Sequence, residues 1–380
     1  MKKLVFVAAV LAAALIFALP LLAAEPEEAQ IYSADDFDAG SIIDALPEEV
    51  REYLPDDGDI FDPDRVLDGY SVGYFARVCS KLIGAALAPA LKTLSVLLGL
   101  VIVSSAIGAL KRAVKSDSLT AVFDFASGLC IMLALFNTIS GLFSNAVIYL
   151  NSLSSLVNAM LPVMTAINIA GGNISAAAVS SNAMMLGLTF VELLAAKGLF
   201  PVLQLCFGIS IAAGIGGGLK LEGITKLVRG VFSWILGLIA AVISAVMSFQ
   251  NSIAASADSL AMRGIKFAAS GAIPVVGGIA GDAVRTVAGS LTLIKSTVGW
   301  IGVVLIALLT LPVIIDVLLT RLGVVIAETA AGVIGLEREK TLLGEMSGLL
   351  GFLAAVCVIA ALMFVYALTL FARCGAAIGS

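Results

Sequence analysis

No histidine occurs among the 380 residues of this chain. That removes imidazole acid-base catalysis and imidazole metal ligation from the chemistry open to it. Charge is scarce too: 13% of residues are charged against 60% hydrophobic, and the mean hydropathy is +1.09. A soluble domain of that composition would lack the polar surface to stay dissolved, so the chain reads as a membrane protein. What charge exists is segregated. Sixteen of the 27 acidic residues fall between Glu25 and Asp68, whereas residues 71–380 hold eleven acids against 18 Lys and Arg. The net charge of -5 therefore averages a strongly acidic leader with a basic, apolar remainder. The five cysteines (Cys79, Cys130, Cys206, Cys357, Cys374) are too widely spaced for a zinc site or a disulfide framework, and only Cys79 and Cys374 fall where they could meet on an outer side. The run GIGGGLK from Gly214 lacks the GK[ST] ending and preceding strand of a phosphate loop, and reads as small residues that let helices approach. No paired-Asp, Ser-Lys or zinc motif is present, so neither an enzyme nor a cofactor is expected.

The N-terminus carries Lys2 and Lys3, an apolar stretch from Leu4 to Leu22, then Ala23 and Ala24 before charge begins at Glu25. Residues 1–24 have the layout of a secretory signal peptide or of an uncleaved signal anchor. Either way the lysines stay in the cytoplasm and the acidic segment crosses. The leader, 25–80, has Pro26, Pro47, Pro55 and Pro63 among its acids and is expected to be extracytoplasmic and largely flexible. A short helix is expected over ALPEEVREYL from Ala45, with Pro47 in its first turn. Composition favours a solvated spacer there over a docking element.

Residues 81–380 are expected to be an all-α polytopic membrane domain with six or more spans. Apolar runs of sufficient length lie near 86–110, 121–143, 199–219, 231–254, 299–320 and 348–372. Two apolar but interrupted stretches, 144–198 and 256–298, read as helical hairpins bent at Pro162 and Pro274. A tandem repeat of about 112 residues is suggested by Pro89, Pro201 and Pro312, in the settings APAL, FPVL and LPVI, each followed by an apolar run and a charged linker. LGLIAAV from Leu236 and LGFLAAV from Leu350 extend the correspondence. Lys111, Arg112 and Lys115, and then Lys220, Lys226 and Arg229, place the first two linkers in the cytoplasm by the positive-inside rule. By the repeat, the third linker, EREK from Glu337, should join them.

Ionisable groups inside spans are costly unless they face a partner or water. Lys92, Gln204 and Asp316 follow the three repeat prolines by three or four residues and form a candidate intramembrane polar level, with Glu192 nearby. Structural pairing, such as Lys92 with Asp316, competes with a polar path along the bundle axis. Gly271, Pro274, Gly277, Gly278 and Gly281 form a candidate packing hairpin, where small residues would admit a neighbouring backbone.

The runs GLKLEGITKLVRGVFSWILGLI from Gly218 and SADSLAMRGIKFAASGAIPVVGGIAGDAVRTVAGSLTLIKSTVGWIGVV from Ser256 carry ordered polar and glycine positions: Arg263, Lys266, Pro274, Gly277, Asp282, Gly289 and Lys295. With the signal-like N-terminus they resemble the stage III sporulation protein AE family, over about residues 80 to 380. The resemblance implies a multi-pass protein of the mother-cell membrane facing the forespore, in the channel or secretion-like complex joining the two cells. Partners implied are other membrane and ring-forming subunits, an ATPase and the lipid bilayer, with homo-oligomerisation open and no nucleic acid. Its role would be a membrane platform or part of a conduit needed for late forespore gene expression. The alternative from the residues alone is a stand-alone transporter whose repeats bind a small solute at the midplane.

Overall fold

The structure, a computed structural model, describes residues 40–54, 72–114, 117–170, 174–193, scattered positions between 198 and 249, and 277–373. Seven helices are described: α1 (Gly40–Asp44), α2 (Glu48–Arg51), α3 (Val72–Val114), α4 (Asp117–Ala170), α5 (Ile174–Leu193), α6 (Gly277–Ile334) and α7 (Glu337–Arg373). Four of these are long and apolar enough to cross a membrane, through Gly73–Ala109, Phe125–Ala170, Thr297–Ile334 and Glu337–Thr369. They account for four of the six expected spans. The other two, 199–219 and 231–254, lie outside the described residues apart from scattered helical positions.

Pro162 does not end its helix, because α4 continues through it to Ala170. Proline is tolerated in apolar bundles where neighbouring helices hold the backbone in place. The next described helix, α5, starts at Ile174 and packs against α4, and residues 171–173 lie outside the described residues. Gly277, Gly278 and Gly281 begin α6, which runs unbroken into the span expected at 299–320, while Gly271 and Pro274 lie outside the described residues. Pro89 and Pro312 likewise sit inside α3 and α6.

The α6–α7 hairpin is the centre of the fold. Its turn is fixed by Gly335 at φ 83°, a left-handed conformation that glycine adopts without strain. Leu336 N–H donates to Ala331 C=O at 2.9 Å and Gly335 N–H to Gly332 C=O at 3.1 Å, the paired closure of a Schellman motif. Burial follows position: 67% of the apolar window in α7 is enclosed, against 17% in α3. Thus α7 is a central helix and α3 a peripheral one. Between them the core is filled by Phe143, Leu150, Leu153, Met160, Leu353 and Phe364, all nearly inaccessible.

Residues 40–54 pack more than their composition predicts. Ile42, Leu46 and Val50, spaced four apart, are buried in the same core as α4. Glu48–Arg51 realises the short helix expected there, with Pro47 at its N-cap. Arg51 donates to the carbonyls of Leu46 at 3.0 Å and Asp44 at 2.7 Å, which closes the segment on itself. Tyr74 donates to the Tyr53 carbonyl, and Lys81 sits 3.8 Å from Glu52 and 4.8 Å from the Tyr53 ring centroid, tying the leader to α3. The apolar stripe, too short to register in overall composition, is what the bundle supplies a surface for.

Candidate functional site

The polar groups of the bundle gather where its helices turn. Ser104 of α3 and Ser127 of α4 are hydrogen-bonded to each other, and Ser127 donates to Glu339 Oε1 at 2.8 Å. All three residues are buried. Three helices are thereby joined at one level by hydroxyl and carboxylate groups, a recurrent way of fastening membrane helices. The geometry also fixes relative direction. Ser104 lies ten residues before the end of α3, Ser127 ten after the start of α4, and Glu339 in the first turn of α7. The C-terminal end of α3, the N-terminal end of α4 and the α6–α7 turn therefore lie at the same end of the bundle, and α3 runs parallel to α6. Higher up, Tyr149 of α4 reaches both remaining helices: its hydroxyl pairs with Thr310 Oγ1 at 3.1 Å and donates to the Cys357 carbonyl at 3.2 Å.

Along α6 and α7, ionisable side chains lie across glycines. A Cβ at Gly332 would fall 3.1 Å from Lys340, one at Gly344 3.0 Å from Glu328, and one at Gly351 3.1 Å from Arg321. Each facing pair is equidistant from the turn at Gly335–Leu336. The glycines open the space in which these long side chains cross the hairpin seam, and Glu345 is buried beside them. Arg321 Nε is buried with no hydrogen-bond partner among the described residues.

Of the expected polar level, Lys92 is exposed on α3 and Asp316 is half-buried on α6, and no described ion pair joins them. Gly323, against which Ala90 and Leu94 pack, marks the level of Lys92; Asp316 is two turns away along α6. Glu192 belongs to the last turn of α5, with its side chain outside the described residues, as is Gln204. Sequence reasoning passed over Ser104, Ser127, Tyr149, Glu339, Arg321, Glu328 and Glu345. The recurrence of Glu and Arg near glycines four and seven residues apart in 321–351 is the signal that could have found the seam. No group of three or more His, Cys, Asp or Glu side chains among the described residues could hold a metal ion.

Comparison with known proteins gives a coherent picture. The family model for stage III sporulation protein AE matches residues 68–375. The stage III sporulation protein AE of Bacillus subtilis (strain 168) is 26% identical over 227 residues, which is 60% of this chain and 57% of that protein. The chain thus aligns with little more than half the length of that relative. No solved structure matches the chain.

Proposed function

The chain belongs to the stage III sporulation protein AE family, and from that premise we propose that it is the membrane platform of the multi-subunit assembly joining mother cell and forespore. It is a multi-pass membrane protein connected with sporulation. Within the proposal, the leader lies outside the mother cell, the helix turns face its cytoplasm, and ring-forming subunits and an ATPase are the partners. The observation that best supports a platform is the solid interior: Tyr149, Phe143, Phe364 and Met160 fill the space where four helices meet. Such a core resists deformation and suits a fixed mount for other subunits. A solute path at the midplane draws no comparable support.

The test is purification of the full chain from sporulating cells with subunit counting. It should carry other membrane subunits, ring-forming subunits and the ATPase in fixed ratio. Recovery of the chain alone, with solute uptake after reconstitution by itself, would replace the platform with a transporter.

A further inference from the structure

The long helices exceed a bilayer. At 1.5 Å per residue the 58 residues of α6 extend about 87 Å and the 54 of α4 about 81 Å, against a hydrocarbon core of about 30 Å. Only part of the bundle can be in lipid, and exposure of large apolar side chains marks which part.

On α3 the exposed ones run from Ile83 through Leu87, Leu91, Val96 and Ile102 to Val103. Twenty residues of rise separate the ends, which is about 30 Å. Among the described side chains of α6 they fall within Leu322–Ile334, and Gly323 packs beside Leu94, so the two helices expose apolar surface at overlapping levels. On α4 they run from Val122 to Phe136, next to the Ser127 junction, and then nearly stop: only Ile148 and Ile169 follow. From Ser144 to Asn158 the exposed positions of the same helix are Ser144, Asn145, Ile148, Asn151, Ser155 and Asn158. A helix whose outer face changes from Phe and Leu to Asn and Ser has passed from one solvent into another.

Polar markers bound the belt. Lys81, one residue-pair short of Ile83, meets Glu52 of the acidic leader, whose side chain is 70% exposed and belongs in water. Tyr53 and Tyr74 stand at this rim, where aromatic residues of membrane proteins collect. At the opposite rim lie the exposed Lys340–Glu337 pair and, in sequence, Lys111 and Arg112.

We propose that the bilayer occupies only the half of the bundle next to the helix turns, and that the other half of α4, with the segments of α6 and α7 packed on it, stands in water on the leader's side as a tower, whereas α5 keeps an exposed apolar face of Met185, Leu186 and Leu193. The occupant of the apolar face is lipid: its height equals a hydrocarbon core and charge gathers at both edges, while on α3 between Ile83 and Val103 the single charged residue is Lys92, exposed at mid-height. The inference deepens the platform reading, since a mount that projects from its membrane can meet subunits between two membranes. It depends on that reading only for this consequence. The position of the bilayer is measured independently of any partner.

The experiment uses the full chain in intact cells, with its native cysteines replaced by alanine and single cysteines at Asn151, Asn158, Leu129 or Phe136. The probe is a membrane-impermeant maleimide. N151C and N158C should be labelled about tenfold or more faster than L129C and F136C, as removal from water implies. Detergent solubilisation should then expose L129C and F136C to the probe, which checks that the variants are folded and reactive. Protection of all four positions would place the tower in lipid and overturn the proposal. Equal rapid labelling of all four would overturn it by removing the belt.

Discussion

The Ser104–Ser127–Glu339 junction permits a quantitative test of how the helix turns are held. Glu339 is 6% exposed and Ser127 7%, so neither can exchange its lost partner for bulk water without opening the bundle. A hydrogen bond to a carboxylate contributes roughly 1.5–3 kcal/mol, and an orphaned buried polar group costs roughly 1–3 kcal/mol. Ser127→Ala removes the donor at 2.8 Å and leaves both the carboxylate and Ser104 short of a partner. Its expected cost is therefore about 2 kcal/mol. Glu339→Leu leaves Ser127 able to pair with Ser104, so it should cost less than that for the hydrogen bond itself. The double variant should be less damaging than the sum of the singles, with a coupling of about 1–2 kcal/mol. The assay is reversible unfolding of the purified chain in mixed micelles of increasing SDS, followed by near-UV circular dichroism. Ser104→Val should behave like a weaker version of Ser127→Ala. If Ser127→Ala and Glu339→Leu add within about 0.3 kcal/mol, the junction is not a coupled unit and the reasoning fails.

Gly335→Ala should destabilise the α6–α7 hairpin by about 1–2 kcal/mol in the same assay, because φ 83° places a Cβ against the following carbonyl; an unchanged midpoint would mean the turn relaxes freely. Lys92→Met and Asp316→Leu, judged by the same unfolding midpoint, should act independently within about 0.5 kcal/mol, since no described contact joins them. A double variant markedly more stable than the sum of the singles would restore the pair suggested by sequence spacing.

Composition alone decided the solvent and the element type. With 60% hydrophobic residues and long runs free of charge, helices are what such a chain can form within a bilayer, since each backbone group must find its partner locally. The family was equally legible, because glycine and polar positions in 218–304 are ordered in sequence and need no fold to be read. The short helix at 48–51 was legible from the stretch after Ala45 with Pro47 in its first turn. Helix ends were not. Pro162 looks like a bend in a linear reading, yet neighbouring helices carry α4 through it. Spacing from Pro89 and Pro312 put Lys92 and Asp316 at one depth, but depth depends on how α3 slides along α6, and that is set by Ala90 and Leu94 against Gly323. Ser127 and Glu339 stand 212 positions apart, so only the packing of three helices could bring them together. The sequence by itself determined that these helices are apolar; which of their faces meet one another, and which are left to lipid or water, was decided by the tertiary structure, because burial is a property of neighbours.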